Sequence, residues 1–210
     1  MGGPQPGHAV DSAVAILQQR AGKDKTVKIV QYTARLLVRI ADSPDLATSS
    51  LKTYYAPRLA PLVKELSGFR KVIKLGDWLQ TWRSIQRQWD ADETPPWIEY
   101  LDCYNELMDD LYLLAKIGTL DSSLTHRFER QADIAWLISI IYNLWDKRET
   151  PRYPFNLDVL KLLCDLVFCC VDVFDLPVDS YLQTVTGLAS AIIAYHKLWV
   201  KQTRKQIKED

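Results

Sequence analysis

The sequence predicts an all-α protein. Apolar residues recur at three- and four-residue spacing along nearly the whole chain, no stretch holds a strict two-residue alternation, and only 8 Gly and 10 Pro interrupt the 210 residues. At 48% hydrophobic and 25% charged, the chain can bury one large or two small helical cores without disulfides or a structural metal. The expected architecture is a bundle of about six to seven amphipathic helices that ends in a helical hairpin. Shifts in composition divide it into an N-terminal extension with a short helix (1–22), a basic then acidic amphipathic region (23–149) and a C-terminal hairpin with a basic tail (150–210).

The first long helix is expected over 25–42, where Lys25, Lys28, Arg35, Arg39 and Asp42 share one stripe and Val27, Val30, Ala34, Leu37 and Ala41 another. Ser43-Pro44 stops it, because proline disfavours the helical region for its predecessor. A second long helix is expected from near Pro61 to about Trp89. Its apolar stripe changes side near Gly76: Phe69, Val72, Ile73, Gly76 and Leu79 lie on one face, and Trp78, Trp82, Ile85 and Trp89 nearly opposite. Three Trp beside Arg83 and Arg87 suit a membrane interface, since indole sets a polar tip on an apolar body. The alternative is that both faces are core.

The acidic, proline-terminated segment 90–96 separates this helix from two more, over 97–118 and 122–147, the latter with Ser122 or Ser123 as its N-cap. Residues 134–145 carry no charge, but twelve residues reach only roughly 18 Å, too short to cross a bilayer core. A loop is expected over 150–154. Beyond it, 157–175 places Asp158, Lys161, Asp165, Asp172 and Asp175 on one narrow stripe amid Leu, Val, Phe and Cys, which predicts a wet edge there. On that reading Asp165→Asn is tolerated and Val167→Asp is costly. The last helix, 180–208, has sixteen uncharged residues before its basic tail, and Gly187 and Ala191 give the small-xxx-small spacing that permits close helix contact. The pair is either a weak membrane hairpin or a water-soluble helical pair.

Charge is balanced overall but not along the chain, with 14 Lys+Arg against 7 Asp+Glu in residues 1–91 and 7 against 17 in 92–179. A basic half suits an acidic partner. Cys103, Cys164, Cys169 and Cys170 contain no C-x-x-C pair and sit mostly in apolar surroundings, so buried thiols in a reducing compartment are expected. The N-terminus lacks the apolar core of a signal peptide, which implies cytosolic synthesis. No Gly-rich phosphate loop, nucleophile elbow, H-E-x-x-H or metal-ligand spacing occurs, so no catalytic residue, cofactor or metal is expected.

Four blocks carry a resemblance. Lys23-Asp24-Lys25 leads into Gln31-Tyr32-Thr33-Ala34-Arg35. Ser67-Gly68-Phe69-Arg70-Lys71 runs to Leu75-Gly76. Leu157-Asp158-Val159-Leu160-Lys161 and Gly187-Leu188-Ala189-Ser190-Ala191 follow near the end. In kind and order these blocks resemble the hallmarks of the peroxin eleven family. The resemblance implies a non-enzymatic peroxisomal membrane protein that elongates and curves the membrane and so promotes peroxisome division and proliferation. It also implies amphipathic-helix insertion, self-association into a homo-oligomer and recruitment of membrane fission machinery.

The partner is then an anionic phospholipid membrane and not nucleic acid. Lys25, Lys28, Arg35, Arg39, Arg70, Lys71 and Lys74 are expected to steer the chain to head groups, at about 1 kcal/mol per cation. Phe69, Val72, Ile73, Trp78, Leu79, Trp82 and Trp89 are expected to insert. Two rivals remain from other classes: a solute-conducting pore with the Asp158–Asp172 stripe facing water, and a soluble scaffold that packs on a partner protein.

Overall fold

The computed structural model describes residues 6–43, 51–149, 156–178 and 180–209; among them are eight α-helices and no strand. They are α1 (Pro6–Gln18), α2 (Arg20–Asp42), α3 (Ala56–Lys74), α4 (Asp77–Asp90), α5 (Trp97–Lys116), α6 (Thr125–Asp146), α7 (Leu157–Val173) and α8 (Ser180–Glu209). The expected loop over 150–154, and the boundary placed there, lie outside the described residues.

The helix expected over 61–89 is two helices. Gly76 adopts φ +84°, a left-handed conformation that glycine takes without a Cβ penalty, and its N–H donates to Asp110 Oδ2 at 2.8 Å. The apparent change of face is therefore a break. Helix α3 also starts earlier than expected, at Ala56. Pro57 falls in the first turn, where its missing N–H costs nothing, and Pro61 removes one intrahelical bond. The 3₁₀ turn Ser122–Leu124 that leads into α6 is capped by the Asp121 side chain, not by Ser122 or Ser123, and it accepts from Ser123 N–H.

The chain forms two compact units, one of residues 1–70 with 180–210 and one of residues 71–179. In the first, α1, α2 and α8 pack on one another. Helix α8 runs antiparallel to α2: Tyr181 Oη donates to the Arg39 carbonyl, Gly187 faces the Tyr32 ring, and Gln19 Nε2 donates to Gln202 Oε1. The seam on α8 is small and buried, made of Thr184, Gly187, Ser190, Ala191 and Ala194. A Cβ on Gly187 would lie 2.5 Å from Tyr32 Cε1, so this position admits no side chain without displacing the ring.

In the second unit α4, α5, α6 and α7 pack each on the next, alternating in direction. The acidic composition of the segment has a structural use here. Along α5, Glu99, Asp102, Glu106 and Asp110 accept from Gln88, Ser139, Thr81 and the Gly76 N–H, at 2.7–2.8 Å, and so tie α5 to α4 and α6. Between α6 and α7 the packing is apolar, with Ile140, Cys169 and Val173 buried under Trp136, Leu137, Leu144, Leu162 and Leu166.

The C-terminal hairpin is divided. Helix α7 packs on α6 in the second unit, and α8 on α1 and α2 in the first, so each finds its partner in an earlier part of the sequence. The stripe on α7 also departs from expectation. Asp165 is buried, with Lys161 Nζ 2.6 Å from its Oδ2, while Leu160, Leu163 and Val167 are exposed.

Candidate membrane-binding site

The sequence singles out two sets of residues, cations to attract a membrane and apolar side chains to enter it. The structure distributes both unequally. On α2, Lys25 Nζ lies 2.6 Å from the buried Asp24 carboxylate. Lys28 and Arg35 stand over the buried Tyr32 ring, 5.8 and 5.1 Å from its centroid. Arg39 alone of these four is exposed. The basic stripe is thus turned toward buried acidic and aromatic groups, while Val30 and Leu37 face outward.

On α3, Arg70 donates from Nε to Asp24 Oδ1 and from Nη1 to Gln31 Oε1, each at 2.9 Å. Lys71 lies with its ammonium 3.6 Å from the Tyr112 ring centroid, and burial lowers its pKa. Lys74, by contrast, is exposed, as are Arg83 and Arg87 on α4.

The apolar set separates in the same way. Trp78 is half-buried: its indole hydrogen-bonds to Asp110, and its carbonyl accepts from Cys103 Sγ at 3.6 Å. Ile85 is fully buried. Trp82 and Trp89 sit at the rim of that packing as an edge-to-face pair, 5.6 Å apart, with Trp89 against Tyr100. Ile73 is half-buried. Trp82 and Trp89 are exposed, at 37 and 46% of full accessibility, and so are Phe69, Val72, Leu75 and Leu79, at 52, 56, 47 and 54%. The last four follow one another every three or four residues along the end of α3, across Gly76 and into α4.

This strip, with Trp82 and Trp89 farther along α4 and cations at Lys74, Arg83 and Arg87, has the composition that favours a headgroup interface. Leu75 belongs to it although periodicity alone did not single it out. A second apolar run, Ile134, Ile138, Ile141 and Trp145, is exposed along α6 at heptad spacing. The sequence signal for it was the charge-free stretch 134–145. Gly187 and Ala191 lie in the α2–α8 seam.

Titratable groups in the second unit are perturbed mainly by burial. The Asp133 carboxyl is pushed up to about 6 by desolvation and then by Asp172, Glu129 and Asp109, against the pull of Lys71. Cys169, wholly buried and donating to the Asp133 carbonyl, has its thiol pushed up to about 12, which makes it a poor nucleophile. Among the described residues no cluster of three or more metal-ligating side chains forms.

Asp133 carries a testable consequence. Its pKa in the folded chain lies above the unfolded value, so the folded state binds more protons and stability falls as pH rises from about 4 to about 6. Asp133→Asn should raise the thermal midpoint at pH 7.5 by about 2–4 °C and leave it unchanged at about pH 4. An equal gain at both pH values would assign the effect to packing.

Among the described residues no helix is long and apolar enough to cross a membrane. Residues 10–152 match the family described as Peroxisomal biogenesis factor 11 (PEX11). The chain is also similar to Peroxisomal membrane protein 11-3 of Oryza sativa subsp. japonica, 25% identical over 231 residues and covering 93% of this chain and 91% of that protein. No solved structure matches it. The family is one of biogenesis factors and not a known enzyme family. The chain belongs to the peroxisomal biogenesis factor 11 family, and its place is the peroxisomal membrane.

Proposed function

We propose that the protein curves and elongates the peroxisomal membrane by laying the end of α3 and the start of α4 into one leaflet, and that this promotes division. The observation that carries the reading is the exposed strip Phe69, Val72, Leu75 and Leu79. An apolar strip of this kind is unfavourable in water and favourable at a headgroup boundary. Insertion into one leaflet expands it relative to the other, which bends the membrane. Lys74, Arg83 and Arg87, all exposed, supply the attraction to anionic lipid. Self-association gathers inserted copies, and the heptad-spaced Ile134, Ile138, Ile141 and Trp145 are a suitable surface for it.

The test uses the full-length protein with vesicles of phosphatidylcholine, alone or mixed with phosphatidylserine. Binding should require the anionic lipid and weaken as salt is raised, tryptophan emission should shift to the blue, and electron microscopy should show tubules. In sedimentation the lipid-free protein should run heavier than its 24.2 kDa chain. Binding to anionic vesicles without any blue shift or tubules would leave only surface adsorption, and the remodelling function would be abandoned.

A further inference from the structure

Helix α3 has no fully buried residue. Its inward side is the half-buried row Leu59, Val63 and Leu66, with Arg70 following on the same face, whereas Phe69 and Val72 lie on the other. A helix so lightly packed is free to roll unless something specific fixes it. Within the first unit, Arg70 is that feature. Its guanidinium reaches two residues two helical turns apart on α2, Asp24 and Gln31, which are 3 and 2% exposed. Two donors in a rigid fork define a direction as well as a distance.

We infer that Arg70 is a positioning residue: by bridging Asp24 and Gln31 it fixes the roll of α3 on α2, so that Phe69 and Val72 face the lipid. The inference deepens the proposed remodelling function and rests on it. It also reassigns Arg70, expected from the sequence to steer toward head groups. With its side chain only 17% exposed and two of its nitrogens engaged, the group is directed into the protein. Asp24 gains a function as well, because its other oxygen holds Lys25 at 2.6 Å.

Arg70→Lys separates the two roles, since lysine keeps the charge but cannot bridge two acceptors with a planar fork. In the full-length protein without lipid, Arg70→Lys and Asp24→Asn should each speed amide hydrogen exchange across residues 59–72 about tenfold, with α8 unchanged. On phosphatidylserine-containing vesicles, binding should stay within about twofold for Arg70→Lys and hold or rise for Asp24→Asn, which removes a negative charge. Tubules per bound molecule should fall about tenfold in both.

Wild-type exchange in Arg70→Lys would overturn the clamp, whatever happens on vesicles. Faster exchange with undiminished tubulation would overturn the positioning role and remove α3 from the remodelling surface. Should wild-type protein fail to tubulate vesicles, the proposed function falls while the exchange arm still decides the clamp. If Asp24→Asn does not fold, Gln31→Met, which spares the ion pair, should shift exchange in the same direction by a smaller factor.

Discussion

Lys161→Ala should lower the thermal unfolding midpoint by about 6–12 °C, whereas Val167→Asp should move it by no more than about 2 °C. The first removes the ammonium 2.6 Å from the Asp165 carboxylate, whose side chain is only 6% exposed, and so takes a close cationic partner from a buried charge. Breaking such a pair from one side costs about 3 kcal/mol or more. The second adds a carboxylate at a position 37% exposed, where water can solvate it. Asp165→Asn should fall between them, because an amide keeps an acceptor for Lys161 but loses the charge. From the stripe alone the reverse order is expected, with Asp165 at a wet edge and Val167 inside. Circular dichroism melts of the variants decide between these orders, and a larger loss for Val167→Asp than for Lys161→Ala would restore the wet edge.

The other large effect concerns the membrane. Changing Phe69, Val72 and Leu79 together to Gln should abolish tubulation and weaken binding to phosphatidylserine vesicles by at least about 100-fold. Each side chain contributes on the order of 1.5 kcal/mol when withdrawn from water, and three together exceed the roughly 2.8 kcal/mol that a factor of 100 requires. All three are more than half exposed, so the melting midpoint should stay within a few degrees of wild type. Trp78→Ala is the contrasting variant. Its indole serves Asp110, which also holds the Gly76 N–H, so the loss should appear in the melt first. A triple Gln variant that still tubulates vesicles would remove this strip from the mechanism.

Much of the architecture was legible in the residues. Helical spacing, a shortage of glycine and the absence of two-residue alternation determined the all-α class, and the breaks near residues 43, 90–96 and 118–121 were marked by proline, glycine and aspartate. The four blocks between Lys23 and Ala191, taken together, pointed to the family. What tertiary structure alone decided is which of the marked residues face outward.

Periodicity reports only that residues share a face of one helix; it is silent on what stands opposite. Lys25, Lys28 and Arg35 read as a steering stripe, yet Asp24 and the Tyr32 ring draw them inward. Trp78 read as interfacial, yet α5 packs over its side of α4. Asp165 read as solvated, yet Lys161, one turn earlier on the same helix, neutralises it within the packing. Gly76 showed the change of face in sequence, but the left-handed turn that breaks the helix there is held by Asp110, 34 residues away. The energy of a charge or an indole is set by its partners and by its burial, and the burial imposed by a neighbouring helix is absent from any local pattern.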